Sequence, residues 1–292
     1  APMAAADKPA PRRVVNLDLP PSQRWAELAK EFQAPMRLTL DYVHNKSQSA
    51  IIAPIIKQLK EGLRTGGGGT DDWIAEMHGL ADAGGVSYDV VETANLFFEW
   101  DPGCTAIVTQ LNNGTIIHAR NFDFSVLGLP QITVQLDFTK SGKVVYSGNS
   151  FIGYIGLITA MRPGAFTISA NSRFQGDHGG KINLWENIKV AKMGGHPIGS
   201  FIRGIVEAPN KFADAINLLN STLLIDEAYY AVAGVNPGEG AIVARGRFGP
   251  DNSHGVDSGT WRLDPPKAWY RLETNYDHCK RLWMRYTHSA TH

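Results

Sequence analysis

One short stretch constrains the fold most: two β-like segments joined by Asn113-Gly114. Asn-Gly is the strongest short hairpin signal, because a type I′ turn needs positive φ at both central residues. With these residues at the centre of the turn, Ile107 lies opposite Arg120, and Cys104 lies opposite Asp123. Cross-strand partners are about 5 Å apart at Cβ. The hairpin therefore predicts that a thiol and a carboxylate meet where its strands end.

A guanidinium belongs to the same group only on one condition. Arg120 is three residues from Asp123, and successive side chains of a strand point to opposite faces. Both side chains can serve Cys104 only if the strand bulges or bends between them. We therefore predict an irregularity near Asn121 and Phe122.

Composition sets wide bounds. The chain has 292 residues, of which 43% are hydrophobic, and this is ordinary for a globular protein with a buried core. Lys+Arg and Asp+Glu are both 28, so net charge gives no argument for a nucleic-acid partner. No apolar run reaches the roughly 18 residues expected of a membrane span.

The pattern of elements changes at Cys104. Residues 14–100 are mainly helical in pattern, so we divide the chain into a helical region, 1–103, and a catalytic region, 104–292. The second region has short strands, then helices, then strands again, which predicts an α/β sandwich with sheets inside and helices outside. The predicted helices are 23–32, 49–64, 71–83, 87–100, 183–193, 198–207 and 211–219. The predicted strands are 105–110, 115–122, 131–138, 143–148, 154–161, 165–170, 228–232, 241–245 and 269–274.

The position of Cys104 suggests a specific chemistry. A cut between Gly103 and Cys104 would give the thiol its own base, a free α-amino group, as in an N-terminal nucleophile hydrolase. The reference pKa values are about 8.5 for the thiol and about 7.7 to 8.0 for the amine, so the amine can take the thiol proton. Arg120 would favour the thiolate and Asp123 would hold the ammonium group. The alternative is that Cys104 is a small buried hydrophobe beside a structural Arg/Asp pair.

Longer strings resemble one family. The segments 104–108 and 120–123 resemble the start of the mature β-subunit in the acid ceramidase and N-acylethanolamine acid amidase family, and residues 16–28 resemble its early α-subunit. Further blocks match at 151–157, 171–174 and 273–278. The resemblance runs from about Val14 to His278.

The resemblance implies an N-terminal nucleophile hydrolase with an αββα sandwich and an N-terminal helical α-subunit region. Its members are lysosomal amidases that cleave themselves before the cysteine into α and β chains and need no metal or organic cofactor. When the family's catalytic roles are assigned to this sequence, Cys104 is the nucleophile and its α-amine is the base. Arg120 and Asp123 tune it, Asn275 belongs to the oxyanion hole, and Gly103-Cys104 is the processing site.

Three more residues are candidate substrate contacts by the same resemblance: Tyr154, Asn171 and Arg173. The apolar residues near Tyr154 suit an acyl channel, and they suit an ordinary core equally well. Ser172 stands where the family usually has Glu, so that carboxylate is missing from the predicted site.

Within the family, the short connection from Phe124 to Gln131 favours the acylethanolamine amidase, whereas residues 16–28 resemble the ceramidase. We favour fatty acid ethanolamides as substrates, with ceramide as the first alternative. The bile-salt or penicillin acylase branch of the fold is a more distant one. The segment from Cys279 to His292 is unlike the family, so an inactive member that only binds lipid or a partner is a further alternative.

Location is predicted from two features. Asn45, Asn113 and Asn220 begin N-glycosylation triplets, as suits a lysosomal glycoprotein. Residues 1–13 are rich in Ala and Pro and lack an apolar core, so they are no intact signal peptide, although they suit what remains after one is removed.

Other candidate sites are weaker. Residues 49–64 suit either a lipid surface or a helix packed on the β region. His288 and His292 form the closest histidine pair, and a metal site is not expected. A papain-like triad of Cys104, His118 and Asn275 is disfavoured, because pairing sets His118 opposite Thr109, too far from the thiol. A disulfide with Cys279 would consume the nucleophile.

Overall fold

A computed structural model describes residues 9–50, 52–96, 103–173, 184–208, 210–251 and 259–277. The strands are β1 (Arg12–Asn16), β2 (Gly103–Gln110), β3 (Ile116–Asp123), β4 (Thr133–Lys140), β5 (Lys143–Phe151), β6 (Thr159–Arg162), β7 (Phe166–Ser172), β8 (Ala228–Gly234), β9 (Gly240–Arg245), β10 (Thr260–Arg262) and β11 (Tyr270–Glu273). The helices are α1 (Ala26–Glu31), α2 (Gln33–Ser47), α3 (Ile52–Gly66), α4 (Asp71–Gly84), α5 (Tyr88–Asn95), α6 (Leu129–Ile132), α7 (Leu184–Lys192), α8 (Ile198–Glu207) and α9 (Phe212–Ser221).

The described residues form two sheets at the centre of the molecule. The larger has eight strands in the order β1-β4-β5-β6-β7-β8-β9-β10, and the smaller has three in the order β11-β2-β3. β2 and β3 pack on β7 and β8, so the sheets face each other, while α8 and α9 pack against the larger sheet. The predicted layered α/β class is confirmed.

Two helices of the N-terminal region, α4 and α5, form where their sequence signals predict. The side chain of Thr70 caps α4 by accepting from the Trp73 N–H, and the side chain of Ser87 caps α5 by accepting from the Val90 N–H. Gly85 ends α4 in the left-handed conformation with φ of 64°. The predicted helix 87–100 runs partly through residues that lie outside the described ranges.

The apolar face of α3 is buried. Ile55, Leu59 and Leu63 pack with Ile188 and Ala191 of α7 in one hydrophobic cluster. Of the two expectations for residues 49–64, the structure therefore supports the packed helix, and the lipid-contact surface predicted there is wrong for this apolar face. Across the described ranges, every helix is too short or too polar to cross a bilayer.

The N-terminal region also supplies a strand, which the sequence pattern did not predict. β1 pairs in parallel with β4 at the edge of the large sheet, and Val15 is fully buried there. Arg12 makes a bidentate pair with Asp137 of β4. Five residues have too little periodicity to predict a strand, and the partner lies 125 residues away in sequence.

A buried ionic cluster joins the N-terminal helices to the rest of the fold. Glu76 of α4 is 1% exposed and accepts from Arg24, from the Trp25 indole and from both terminal nitrogens of Arg203 on α8. Tyr146 of β5 accepts from Arg203 at 3.1 Å. Because each charge is paired inside the core, the cluster fixes α4 and α8 in one arrangement.

Candidate active site

The hairpin turn differs from the predicted one by a single residue. Gly114 has φ of 87° and donates to the Leu111 carbonyl at 2.9 Å, while Asn113 is not among the positive-φ residues. This geometry is a type I turn followed by a left-handed glycine, which adds one residue to the loop relative to a type I′ turn. The register shifts accordingly: Cys104 lies opposite Phe122, and Asp123 lies opposite Gly103.

This shift removes the need for a bulge. Residues directly opposite each other share a face, so Cys104, Phe122 and Arg120 all point between the sheets. The pairing of β2 with β3 is regular from Gly103 to Gln110, so the predicted irregularity near Asn121 and Phe122 is wrong. The hairpin places the guanidinium beside the thiol without a distortion.

Arg120 is held at three points around the thiol. Its Nη2 donates to Cys104 Sγ at 3.0 Å and to the Ala170 carbonyl at 2.9 Å, and its Nη1 donates to Thr159 Oγ1 at 3.0 Å. The guanidinium group of Arg120 lies over the Phe122 ring, with Cζ 4.7 Å from the ring centroid. β6 and β7 therefore fix the direction of the charge that faces the sulfur.

The structure corrects the position of Asp123. Its side chain is exposed on the outer face of the small sheet, where Asn121 donates to it. The predicted hydrogen bond from the freed ammonium group of Cys104 to Asp123 belongs to the cleaved chain and stays a prediction. The charge of Asp123 still acts at a distance and raises the thiol pKa slightly.

Asn275 is the side chain that contacts the backbone nitrogen of Cys104. β11 pairs with β2, and the same register carried past Glu273 sets Asn275 beside Cys104. The Cys104 N–H donates to Asn275 Oδ1 at 2.9 Å, and Asn275 Nδ2 donates to the Ser172 carbonyl at 2.7 Å. The predicted oxyanion role of Asn275 stays a prediction, and Nδ2 has a second N–H for it besides the one that Ser172 accepts. The contact between Asn275 and the Cys104 nitrogen is present.

Asn171 and Arg173 hold the segment that carries Asn275. Asn171 Nδ2 donates to the carbonyls of Glu273 and Thr274 at 3.2 and 3.1 Å. Arg173 donates in a fork to both oxygens of Asp277, at 2.7 and 2.9 Å. These contacts are structural, and direct substrate binding by Asn171 or Arg173 stays a prediction.

Sequence reasoning missed three residues of this network: Asp277, Tyr229 and Asp251. Asp277 also accepts from the Tyr229 hydroxyl, and Arg173 donates to Asp251 at 2.6 Å. Burial raises the pKa of Tyr229, and the Asp277 contact raises it further. Asp277 follows Asn275 by two residues, which is the one signal in the sequence that pointed to it.

Opposing effects act on the pKa of the Cys104 thiol. Cys104 is 2% exposed, and burial raises its pKa. The charge and hydrogen bond of Arg120 lower the pKa, as does a hydrogen bond from the Ser172 backbone N–H. The contact at residue 172 comes from the backbone, so it survives the replacement of the family's usual Glu by Ser172.

His118 has a different role from that of a base. It lies opposite Val108, not Thr109, and its ring nitrogens contact Thr167 Oγ1 at 2.9 Å and Ser169 Oγ at 3.0 Å. Burial, aided by the Arg120 charge, lowers its pKa to about 4. Both nitrogens are engaged by β7, so the papain-like alternative has no support.

A cavity of about 950 Å³ opens beside β3, over β4, β5 and β6 of the large sheet. Arg120 and Phe122 line it and separate it from the thiol. Tyr154 does not line it: the ring is 7% exposed and packs against Gly156 and Gly199. Tyr154 thus has a core environment, and its role in substrate binding stays a prediction.

The remaining predicted positions are placed as follows. Asn45 and Asn113 are exposed, whereas Asn220 is half-buried and donates to Thr260 at 3.4 Å. Within the described ranges, no group of three or more His, Cys, Asp or Glu side chains is arranged to hold a metal ion. Four residues named above lie outside the described residues: His278, Cys279, His288 and His292.

Two family models match parts of the chain. The family model described as linear amide C–N hydrolases, choloylglycine hydrolase family, matches residues 104–242, and thus begins at Cys104. The model described as the beta subunit of N-acylethanolamine-hydrolyzing acid amidase matches residues 8–65.

Two curated relatives match nearly the whole chain. It is 34% identical over 290 residues to N-acylethanolamine-hydrolyzing acid amidase of Cavia porcellus, covering 96% of this chain and 76% of that one. It is 30% identical over 289 residues to acid ceramidase of Mus musculus, covering 93% and 71%. The chain belongs to the acid ceramidase and N-acylethanolamine acid amidase family. The family resemblance drawn from the sequence is confirmed.

A solved structure supports the fold of this family. The Caenorhabditis elegans ortholog of N-acylethanolamine-hydrolyzing acid amidase superposes with a TM-score of 0.52 at 31% identity, covering 60% of this chain and 70% of that one. The predicted N-terminal nucleophile hydrolase class is confirmed, and the matches to amide C–N hydrolases identify the family of amidases to which the chain belongs.

Proposed function

We propose that this protein is a lipid amide hydrolase that acts on fatty acid ethanolamides through Cys104 after it cuts its own chain before that residue. One observation carries the proposal: Arg120 contacts Sγ at 3.0 Å while Asn275 contacts the nitrogen of the same residue at 2.9 Å. A thiol that is only a buried hydrophobe needs neither contact. Arg120 thus fixes the sulfur of Cys104, and Asn275 fixes its backbone nitrogen.

Self-cleavage follows from this geometry. Sγ attacks the carbonyl carbon of Gly103, the bond from that carbon to the Cys104 nitrogen breaks, and the thiol proton goes to the nitrogen. Water then hydrolyses the thioester to give the Gly103 carboxylate, the free thiol and a free α-amine. Asn275 Oδ1 accepts from that nitrogen before the cut and is positioned to accept from the amine after it.

Turnover repeats the same chemistry on a substrate. The α-amine takes the thiol proton as Sγ attacks the amide carbon, and it gives the proton to the nitrogen of the leaving amine. The acyl thioester is hydrolysed by water, which regenerates the thiol and releases the fatty acid. Arg120 stabilises the thiolate in both steps because its charge is buried beside the sulfur.

The two chains produced by the cut are expected to remain one α/β heterodimer. β1 pairs with β4 across the cut, and Glu76 is bound by Arg203 from the other chain. We also propose a lysosomal location, with glycans at the exposed Asn45 and Asn113, whereas Asn220 would first have to release Thr260.

The test measures hydrolysis of N-palmitoylethanolamine and of ceramide at acid pH by purified protein. The proposal predicts release of palmitate from the ethanolamide at the higher kcat/KM and none by Cys104→Ala. Thr105→Ala is the matched control, because this neighbouring side chain points to the outer face of β2. Turnover by Cys104→Ala would refute the nucleophile.

Ceramide is retained as a second substrate because acid ceramidase of Mus musculus matches 93% of this chain. A kcat/KM for ceramide at least tenfold above that for the ethanolamide would reverse our choice between the two. Absence of both activities in folded, self-cleaved protein would contradict the proposed function.

A further inference from the structure

Another cleft lies at the far end of β2 from Cys104. It has a volume of about 550 Å³, and the hairpin turn and the segment before β11 line it with Gln110, Leu111, Asn112, Pro265, Pro266 and Trp269. Gln110 is six residues along β2 from Cys104, which is about 20 Å at the rise of a β-strand. The cleft is therefore separate from the reacting centre, and it shares no lining residue with the cavity over β4, β5 and β6.

The cleft has an exposed aromatic wall. Trp269 is 53% exposed, and its ring meets that of Tyr270 edge-on, with centroids 4.9 Å apart. The Trp269 carbonyl accepts from the Gln110 N–H at 2.8 Å and from the Thr109 hydroxyl at 3.2 Å. The indole is thus a large apolar surface that faces solvent from a fixed stretch of backbone.

The rest of the lining includes two neutral amides. The Gln110 side-chain oxygen accepts from the Gly238 N–H at 2.7 Å, and no described residue accepts from the side-chain N–H groups of Gln110, which remain as donors. Asn112 is exposed in the turn. The described residues that line the cleft carry no charge. This lining matches a neutral ring with an apolar face and with hydroxyl and amide groups at its edge, which is the form of N-acetylglucosamine.

A glycosylation triplet, residues 113–115, begins directly beside the cleft. Asn113 is exposed, and its Oδ1 accepts from the Thr115 N–H at 3.0 Å. No described residue accepts from Asn113 Nδ2, the atom that would carry a glycan. Because Asn112 lines the cleft, a sugar on Nδ2 would be tethered within one residue of it.

The loop from β8 to β9 occupies another side of the turn. A Cβ added at Gly114 would lie 3.0 Å from Pro237 Cγ, so this loop is in contact with the turn. The segment 265–269, in contrast, leaves the cleft open beside Asn112. Of these two neighbours of the turn, the second is the one that has space for a sugar.

We infer that this cleft binds the first sugars of a glycan carried by Asn113, with the first N-acetylglucosamine stacked on Trp269. The inference rests on the glycosylation included in the proposed function. A transferase of the host would supply the glycan from a lipid-linked oligosaccharyl diphosphate. The bond from Nδ2 to C1 of the first sugar forms, the bond from C1 to the phosphate oxygen breaks, and one Nδ2 proton leaves with the lipid diphosphate.

The bound glycan would tie the hairpin turn to the start of β11. β11 has four residues, Tyr270–Glu273, and lies at the edge of the small sheet. It leads to Asn275, which contacts the Cys104 nitrogen. A sugar that touches both Asn113 and Trp269 adds a contact to this short edge strand.

The test measures the exposure of single tryptophans in protein made in cells that attach high-mannose glycans. Mass spectrometry of peptides gives the rate at which hydroxyl radicals oxidise each indole. Trp269 should be oxidised at least threefold more slowly in the glycoprotein than in Thr115→Ala, which loses the triplet but keeps the N–H that donates to Asn113. Trp185, which is 59% exposed, is the internal control and should be oxidised at the same rate in both.

Two further samples separate stacking from general shielding. Trimming the glycan to its first sugar with endoglycosidase H should keep the protection of Trp269, and Thr115→Ser, which retains the triplet, should keep it as well. The glycan should also raise Tm by about 3 °C in protein with Trp269 and by less than about 1 °C in Trp269→Ala.

Equal oxidation of Trp269 with and without the glycan overturns the inference, as does protection that is lost on trimming to one sugar. If Thr115→Ala does not fold, enzymatic release of the glycan from the native protein gives the same comparison. An Asn113 peptide without a glycan overturns the inference together with the proposed glycosylation. Hydrolysis of lipid amides is measured independently, so failure of the proposed enzymatic activity is distinguishable from failure of this site.

Discussion

At the residue scale, the chemistry depends on a buried guanidinium with few partners of opposite charge. Burial lowers the pKa of Arg120, and the contact with Cys104 opposes that change. Among the described residues, the Cys104 thiolate is the one anion that the geometry brings within 3.0 Å of Nη2. The charge of Arg120 is therefore compensated best when the thiol is ionised.

Replacing Arg120 tests this coupling. Arg120→Leu removes the charge and the hydrogen bond of Arg120, both of which lower the thiol pKa, while burial, which raises it, remains. Self-cleavage should therefore slow at least tenfold, and its rate profile should move to higher pH. Arg120→Lys retains the charge and should have an intermediate rate. The rate is followed by gel electrophoresis across a pH series, with the exposed Arg37→Gln as control. An unchanged profile in Arg120→Leu would contradict the role of the guanidinium.

His118 predicts a dependence of stability on pH. Its folded pKa of about 4 lies below the usual 6.5, so the unfolded chain binds more protons between these values. This contribution to stability is complete above about pH 6.5 and is lost as the pH falls towards 4, by at most about 3 kcal/mol. His118→Gln can keep one hydroxyl contact. In this variant, the free energy of unfolding should change less with pH between about 4 and 6.5.

Urea unfolding at pH 7 and pH 4.5 measures this effect. His78→Gln is the control, since the His78 ring stacks on Tyr88 at the surface of α4. Equal pH dependence in His118→Gln and the unaltered protein would show that His118 does not titrate as described.

The sequence predicted which residues lie together around Cys104 better than it predicted their geometry. Cys104, Arg120 and Asn275 were named and are found together. Asp123 was assigned to the wrong face because Asn-Gly is compatible with two turn types that differ by one residue in register. Successive side chains of a strand point to opposite faces, so a shift of one residue in register moves every side chain of β3 to the other face of the sheet.

At the element scale, the helices that depend on local signals were predicted better than the contacts that join distant parts of the chain. Amphipathic helices with caps, such as α4 and α5, follow from residues within one or two turns of each other. The pairing of β1 with β4 and the fork between Arg173 and Asp277 join residues more than 100 apart, and periodicity carries no information about them. α2 was missed although Pro35 lies in its first turn, where the missing N–H costs little.

The end of β11 offers the sharpest test at this scale. Asp277→Asn leaves the buried Arg173 with one exposed partner, so we expect a loss of about 3 to 5 kcal/mol in stability. Tyr229→Phe removes only a hydroxyl and should retain most of the stability while slowing self-cleavage, because Asn275 loses a fixed support. Asp264→Asn, at an exposed position, is the control.

Chemical denaturation and the self-cleavage rate separate the two effects. Full stability in Asp277→Asn would contradict the assignment of Arg173 and Asp277 as a buried pair. A normal cleavage rate in Tyr229→Phe would show that the network does not position Asn275.

At the scale of the whole molecule, the fold keeps the two expected chains together by means that do not involve the cut. Glu76 accepts from Arg203 and Arg24, which lie on opposite sides of Gly103 in the sequence. Glu76→Gln should lower the free energy of unfolding by about 3 to 5 kcal/mol, because both guanidinium groups lose their buried charge partner. It should also make the cleaved chains separate at lower urea, as measured by size-exclusion chromatography.

Glu61→Gln is the matched control, since Glu61 is exposed and only 3.7 Å from Arg64 in an i,i+3 pair. Identical separation of the chains in Glu76→Gln and Glu61→Gln would show that the buried cluster does not hold them.

The central claim is that Cys104 becomes the first residue of a new chain. Intact-mass spectrometry of the purified protein before and after incubation at acid pH tests it most directly. We expect two products, one that ends at Gly103 and one that begins at Cys104, and an uncut chain for Cys104→Ala. A chain that stays uncut yet hydrolyses lipid amides, or one that is cut at another bond, would contradict it.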